Sequence, residues 1–125
     1  MQPRRLLLVE DELLLAMDLE ARLAAMGFSV VDMAATGAAA IAAAEQYRPD
    51  LVLMDIRLSG PMDGIDAALE IRKRRDIPVL FLSAYADEQT RQRAQAVGTH
   101  GFLSKLAPDW DLHSAIEVAL AGRLE

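Results

Sequence analysis

The chain has 125 residues, of which 53% are hydrophobic, so it is long enough to bury the core of one domain without covalent cross-links. Its formal net charge of −6 argues against direct nucleic acid binding, which requires a surplus of Lys and Arg. The absence of cysteine excludes disulfides and thiolate metal sites and fits a cytoplasmic protein, and no apolar run reaches the roughly 20 residues needed for membrane insertion.

Short apolar runs of strand length alternate with longer segments of helical period, and this pattern predicts β-α units around a parallel sheet. Residues 6–9 form the first predicted strand, and the helix that follows ends at Gly27. The second strand is centred on Val30 and Val31, and Thr36 is expected to cap the second helix.

The same alternation continues to the end of the chain, where we expect one domain over residues 1–125 and no output module. The remaining predicted elements are the strand 51–54, a helix ending at about Arg75, the strand 79–82, a helix from a cap at Asp87 to Gly98, the strand 101–103, and a helix that Pro108 opens.

Polar side chains directly follow four of the predicted strands. Glu10 and Asp11 follow the first strand, Asp55 the third, Ser83 the fourth and Lys105 the fifth. The carboxyl ends of parallel strands meet at one edge of a sheet, so these groups are expected to converge. Clustered carboxylates repel one another unless a cation is bound, and hard oxygen ligands favour Mg²⁺. An aspartate in such a pocket can be the nucleophile that forms an acyl phosphate, with lysine and serine facing the phosphoryl oxygens.

Five short motifs follow one another along essentially the whole chain. They are V-E-D-E at 9–12, L-M-D-I at 53–56, M-D-G at 62–64, L-S-A at 82–84 and F-L-S-K at 102–105. Together they resemble the receiver domains of two-component response regulators. The resemblance implies a flavodoxin-like, doubly wound α/β fold with a five-stranded parallel sheet in the order 2-1-3-4-5 and five helices. It also implies a sensor histidine kinase or phosphotransfer protein as phosphoryl donor.

The resemblance further implies how the acidic residues are used. Asp55 becomes the phosphoryl acceptor and, together with Asp11, a side-chain ligand of Mg²⁺. Glu10 acts through a metal-bound water, and the backbone carbonyl of Arg57 is a further ligand. Arg57 and Tyr85 border the path of the water that hydrolyses the acyl phosphate in the family. The chain is therefore expected to be a regulatory domain that assists only its own phosphorylation and dephosphorylation, not an enzyme.

The remaining family positions concern the switch. Ser83 is expected to hydrogen-bond the phosphoryl group, Lys105 to pair with it, and Phe102 to be the switch aromatic. Family members usually have proline after the lysine, often with a cis peptide, whereas this chain has Leu106. A cis bond before a residue other than proline costs about 2.5–4 kcal/mol, so we expect a trans peptide and a reshaped loop.

Trp110 is the most informative candidate on the partner surface, which we expect on helix four, strand five and helix five. The apolar period of the last helix turns Trp110 away from the core. Tryptophan is enriched among residues that dominate interface energy, so the indole is interpreted as a contact with a downstream protein or within a homodimer. The competing interpretation is that the indole covers the loop at Leu106.

Three other classes of protein are alternatives for a chain with these residues. A flavin-binding module would need a Ser, Thr or Gly-rich phosphate cradle after the first strand, where this chain has Glu10, Asp11 and Glu12. An aspartate-nucleophile phosphatase would carry Asp-x-Asp there, which is missing. A degenerate receiver that serves as a constitutive interaction module is the third alternative, and Leu106 is the residue that keeps it open.

Overall fold

The computed structural model describes residues 2–84, 87–98 and 100–122, and in this part of the chain five strands alternate with five helices. The strands are β1 (Arg5–Val9), β2 (Ser29–Ala34), β3 (Leu51–Asp55), β4 (Val79–Ser83) and β5 (Phe102–Ser104). The helices are α1 (Leu13–Ala25), α2 (Gly37–Tyr47), α3 (Gly64–Arg74), α4 (Glu88–Val97) and α5 (Asp109–Gly122). The predicted elements are confirmed, with boundaries that differ by one to a few residues.

All five strands are parallel and form one sheet in the order β2-β1-β3-β4-β5. Successive side chains of a strand lie on opposite faces of the sheet. In β1, Leu7 and Val9 pack on one face, and Leu6 and Leu8 pack on the other. Helices α2, α3 and α4 cover the first face, and α1 and α5 cover the second. The doubly wound fold and strand order implied by the resemblance are therefore confirmed.

The helix ends follow from local side-chain chemistry. The Thr36 hydroxyl accepts a hydrogen bond from the backbone N–H of Ala39 at 3.1 Å, as its predicted capping role requires. Asp87 caps α4 in the same way through the N–H of Thr90 at 2.8 Å. Gly98 ends α4 with φ of 87°, a left-handed conformation that glycine adopts without steric cost.

The basic run at the end of α3 is engaged within the protein. Arg72 donates to the backbone carbonyl of Ile77 at 3.0 Å, and Arg75 pairs with Glu45 at 3.3 Å. These contacts explain the run as the carboxyl end of a helix, where cations complement the helix dipole. Within the described residues, every helix is too short or too polar to span a bilayer.

Candidate functional site

A cavity of about 290 Å³ opens at the carboxyl edge of the sheet, where β1, β3, β4 and β5 end. The structure brings the residues predicted from four strand ends together around it. Its lining consists of Asp11, Glu12, Asp55, Arg57, Ser83, Ala84 and Lys105. Glu10 lies beside this cavity, in contact with Lys105, whereas Phe102 and Trp110 lie outside its lining.

Three carboxylates converge at this edge. Glu10, Asp11 and Asp55 each offer an oxygen within 4.8 Å of those of the other two. Asp55 ends β3 and Glu10 directly follows β1, and both are buried because the other residues of these strands belong largely to the core, while the Asp11 side chain lies toward solvent. Glu10 is further fixed through Oε2, which accepts a hydrogen bond from the backbone N–H of Glu12 at 3.1 Å.

Lys105 is the cation of this cluster. Its Nζ lies 2.7 Å from Oε1 of Glu10 and 3.0 Å from Oδ2 of Asp55, and its side chain is only 11% exposed. Burial alone would lower the pKa of Lys105, but its contacts with the two carboxylates outweigh burial and hold the pKa above its ordinary value. The amine therefore stays charged at neutral pH.

The pKa of Asp55 is shifted in the opposite sense to that of an ordinary ion-paired aspartate. Burial raises the pKa of Asp55 to about 6, and the negative charge of Glu10 adds to this rise, while the hydrogen bond from Lys105 opposes it. One ammonium group is shared between two buried carboxylates, so it does not neutralise both. The site consequently favours a further positive charge.

The chemistry of this site fits a hard divalent cation. Oε1 of Glu10 is buried and has no hydrogen bond of good geometry in spite of its proximity to Lys105. The available ligands are carboxylate oxygens, which Mg²⁺ prefers, and the cavity leaves room for water and a phosphoryl oxygen. Arg57 lines the cavity, and its backbone N–H donates to Oδ1 of Asp55 at 3.3 Å, which fixes the chain next to this carboxylate.

Ser83 and Ala84 complete the wall of the cavity on the β4 side. Ser83 is buried at the end of β4, and its backbone carbonyl accepts a hydrogen bond from the N–H of Lys105 at 3.0 Å. This bond aligns the end of β5 with the end of β4, so the hydroxyl and the amine reach the same cavity. Tyr85, which the resemblance places near the path of hydrolytic water, lies outside the described residues.

Two residues that follow β3, Ser59 in the loop and Gly64 at the start of α3, support the site without carrying charge. The Ser59 hydroxyl donates to Oδ2 of Asp11 at 2.9 Å, although the two residues are 48 positions apart. Gly64 packs directly against the backbone of β3, and a Cβ there would collide with the carbonyl oxygen of Asp55. The M-D-G motif signals Gly64, whereas nothing in the sequence signals Ser59, because its contact depends on the path of the loop.

The loop after Lys105 differs from the usual family pattern, as predicted. All described peptide bonds are trans, including the one between Lys105 and Leu106. The N–H groups of Leu106 and Ala107 both turn back to Ser104, bonding its hydroxyl and its carbonyl oxygen at 3.1 Å each. This tight turn places Leu106 at the surface, where 88% of it is exposed.

The two residues predicted for switching and partner contact lie away from the cavity. Phe102 is half-buried in β5, with the guanidinium of Arg91 from α4 at 4.9 Å from its ring centroid. Trp110 is 74% exposed at the start of α5. Because Leu106 is also exposed, the indole does not cover the loop, and the interpretation that it merely shields Leu106 is wrong.

Comparison with known families assigns the chain. A family model described as the response regulator receiver domain matches residues 6–117. The chain belongs to this family. Phosphorylation-switched signalling is the general function of receiver domains, which interact with histidine kinases and downstream partners and bind Mg²⁺ at an acidic pocket.

Individual relatives agree with this assignment. The transcriptional regulatory protein PdtaR of Mycobacterium tuberculosis is 40% identical over 119 residues, which are 95% of this receiver domain and 58% of PdtaR. The chain thus spans little more than half the length of that relative. The signal receiver domain of a modulated diguanylate cyclase from Desulfovibrio desulfuricans G20 matches with a TM-score of 0.92 and 33% identity, covering 98% of this chain and 97% of that one. A chain of the CheX-CheY-BeF3-Mg²⁺ complex from Borrelia burgdorferi matches with a TM-score of 0.84 and 25% identity, covering 91% of this chain and 87% of its own.

Proposed function

We propose that this receiver domain accepts a phosphoryl group on Asp55, in the presence of Mg²⁺, from a sensor histidine kinase or a phosphotransfer protein. The observation that carries the proposal is the position of the Asp55 carboxylate, which lies 3.0 Å from Nζ of Lys105 and within 4.8 Å of the oxygens of Glu10 and Asp11. An isolated loop aspartate would have none of these neighbours.

The reaction is a phosphoryl transfer between two protein side chains. A carboxylate oxygen of Asp55 attacks the phosphorus of a phosphohistidine, the new P–O bond forms, and the P–N bond to the donor breaks as the imidazole leaves. Positioning and charge stabilisation supply the catalysis, because the phosphoryl group spreads negative charge over its oxygens. Asp55 must be deprotonated to attack, which its pKa of about 6 allows at neutral pH.

The proposed metal ligands are Asp11, Asp55 and the backbone carbonyl of Arg57, with Glu10 acting through water. Bound Mg²⁺ supplies positive charge to the transferring phosphoryl oxygens. The CheX-CheY complex that this chain resembles contains Mg²⁺ and BeF3, which supports the same cofactor here. Asp11 suits direct ligation because its side chain lies toward solvent at the cavity, whereas Glu10 is buried against Lys105.

Ser83 and Lys105 are proposed to hold the phosphoryl group once it is on Asp55. Lys105 contributes a point charge and Ser83 a hydroxyl donor, and both line the cavity that Asp55 faces. Movement of Ser83 toward the phosphoryl group would shift the end of β4 and, through the paired strand, Phe102 on β5. Phosphorylation thereby biases two arrangements of the surface formed by α4, β5 and α5.

Besides the pairing of β4 with β5, ion pairs connect the region around the proposed acceptor to α4. Arg93 on α4 donates to the Asp63 carboxylate at 2.9 Å and lies 3.3 Å from Asp66. Asp63 is the N-cap of α3, directly before Gly64, which packs on the Asp55 carbonyl. The helix at the proposed output surface is thus coupled to the loop that follows the acceptor.

The proposed output is protein contact through the surface that carries Trp110, either with a downstream protein or in a homodimer, in the cytoplasm. A degenerate receiver is not favoured, because the acceptor, the acidic residues, the serine and the lysine are all present and converge on one cavity. Catalysis by the domain is proposed to be limited to its own phosphorylation and dephosphorylation.

Reaction with a small phosphodonor tests the proposal without the native kinase. The protein is incubated with acetyl phosphate and Mg²⁺, and intact-mass spectrometry follows the addition of a phosphoryl group. An adduct that survives acid and is lost in base is expected, as for an acyl phosphate. Asp55→Asn should remove it, whereas the control Asp32→Asn, on the edge strand β2, should retain it. A full-yield adduct in Asp55→Asn would refute the assignment.

A further inference from the structure

The segment that follows Lys105 has few anchors of its own. Lys105 follows β5, a three-residue strand at the edge of the sheet that pairs only with β4. The next two N–H groups return to Ser104 within the same turn, and Leu106 points an exposed side chain to the surface. Among the described residues, the N–H groups of residues 106 and 107 thus close only this local turn, and Leu106 adds little apolar packing to it.

Arg22, in the last turn of α1, makes that connection. Its Nε donates to Oδ1 of Asp109 at 2.6 Å, and its Nη2 donates to the backbone carbonyl of Ala107 at 3.2 Å. The contacts join parts of the chain that are 85 and 87 residues apart, and the Arg22 side chain is only 23% exposed. A planar guanidinium suits this task because its donors reach two acceptors in fixed directions.

We propose that Arg22 is a positioning residue that holds the β5–α5 loop, and with it the amine of Lys105, against the phosphoryl-accepting carboxylate. Ala107 is two residues beyond Lys105, and Asp109 is the first residue of α5, so Arg22 fixes both the loop and the element that follows it. The proposal rests on the proposed function, because the position of Lys105 matters to the reaction only if Asp55 is the acceptor.

A purely structural role for Arg22 makes a different prediction. Arg22 also lies 3.6 Å from Asp18, one helical turn earlier, and a cation in the last turn complements the dipole of α1. If these contacts were its whole function, Arg22→Ala would lower the stability of the fold and leave the chemistry of folded molecules unchanged. Measurements on Lys105 itself separate the two roles.

The kinetic test is a double-mutant cycle between positions 22 and 105. At saturating Mg²⁺ and with acetyl phosphate, Arg22→Ala is expected to slow phosphorylation by about threefold to tenfold, since a small misplacement of a catalytic group lowers the rate. In the Lys105→Ala background, Arg22→Ala should cause no further loss, because it acts through Lys105. Arg75→Ala is the matched control, because it also removes an arginine ion pair but one with Glu45, outside the site.

The spectroscopic test requires no phosphorylation. The chain contains two lysines, Lys73 and Lys105, so ¹³C-lysine labelling gives one site signal and one internal reference. Lys73 pairs with Glu70 on the surface of α3. Arg22→Ala should move and sharpen the Cε signal of Lys105 as the amine gains freedom, and it should leave the signal of Lys73 in place.

Asp109→Ala is a second variant that tests the proposal if Arg22→Ala fails to fold. Asp109 is exposed, so its replacement leaves the apolar core untouched. It should change the Lys105 signal and the rate in the same direction but less, since Arg22 still reaches the carbonyl of Ala107. Arg22→Lys should fall between the wild type and Arg22→Ala. Wild-type rates together with an unmoved Lys105 signal in these variants would overturn the proposal for Arg22. A wild-type protein that acquires no phosphoryl group on Asp55 would instead overturn the proposed function.

Discussion

The amine of Lys105 lies 3.0 Å from Oδ2 of Asp55. The same amine lies 2.7 Å from Glu10, so one cation connects the ends of β1, β3 and β5. The residue that is proposed to hold the transferred group is therefore in contact with the proposed acceptor. This relationship gives Lys105 two opposing effects on the site, which can be measured separately.

Replacing Lys105 by alanine should strengthen Mg²⁺ binding and slow phosphorylation. Loss of the ammonium leaves two buried carboxylates without their cation, so a divalent ion binds more tightly. The phosphoryl oxygens lose a charged donor, which is expected to lower the rate by about tenfold to a hundredfold or more. Isothermal titration with Mg²⁺ and stopped-flow phosphorylation measure the two effects, with Lys73→Ala as control. A parallel loss of Mg²⁺ affinity and rate would contradict this role.

Asp11 should contribute more to Mg²⁺ affinity than Glu10. Asp11 lies toward solvent at the cavity and accepts its hydrogen bond from the neutral Ser59, whereas Glu10 is buried next to Lys105. Titration of Asp11→Ala and Glu10→Ala with Mg²⁺ should therefore show the larger loss for Asp11→Ala. Ser59→Ala should cause a smaller loss than Asp11→Ala, because it only frees the ligand to rotate. Equal losses for the two acidic residues, or a reversed order, would contradict the proposed ligand roles.

Asp55→Asn should stabilise the protein at neutral pH when Mg²⁺ is absent. The pKa of Asp55 is raised from 3.8 to about 6, so the native state holds a proton that the unfolded state releases between those values. Stability that depends on this carboxyl is present below pH 4 and is lost as pH rises through 6. The advantage of Asp55→Asn should grow across this window by up to about 3 kcal/mol, at about 1.4 kcal/mol per unit of pKa.

Urea denaturation in EDTA between pH 4 and 8 measures that difference. Asp63→Asn is an informative comparison because burial of Asp63 is outweighed by its hydrogen bonds from Arg93 and the backbone of Asp66, which lower its pKa. Its contribution has the opposite sign and is present throughout this pH range, because it is lost only as pH falls below the unfolded pKa. A stability difference between wild type and Asp55→Asn that is independent of pH would show that Asp55 is not perturbed.

Trp110 should report on the proposed output surface. Its indole is exposed, and the buried residues of α5 lie on the opposite side of the helix. Binding of a partner or a second copy would remove the indole from water and shift its fluorescence to shorter wavelength. Emission is measured with and without beryllofluoride and Mg²⁺ at low and high protein concentration. Insensitivity to both variables, with Trp110→Ala leaving self-association and partner binding intact, would remove Trp110 from the mechanism.

The sequence was sufficient to predict the fold and most of the polar residues that line the cavity. Strands β1, β3 and β4 are largely apolar runs that end in polar residues or are directly followed by them, and parallel strands bring those ends together whatever the intervening helices contain. The exposure of Trp110 followed from helical periodicity in the same way.

Contacts that depend on the paths of loops could not be predicted from the sequence. The Ser59 hydroxyl reaches Asp11 because the loop after β3 runs back across the cavity, and Arg22 reaches Ala107 because α1 and α5 share one face of the sheet. Neither pair of residues has a spacing or a motif from which the contact could be predicted. The pKa of Asp55 was likewise inaccessible, because it reflects burial, Glu10 and Lys105 acting together in three dimensions.

Peptide mapping after borohydride reduction tests the acceptor most directly. The protein is phosphorylated with acetyl phosphate and Mg²⁺, and borohydride then reduces the acyl phosphate of the modified aspartate to the alcohol, which marks the residue for mass spectrometry. The mark is expected on Asp55 alone, and it should be absent when Mg²⁺ is chelated. A mark on Asp11 or another carboxylate, or an unmarked Asp55 in a protein that has gained a phosphoryl group, would contradict the assignment of Asp55 as the acceptor.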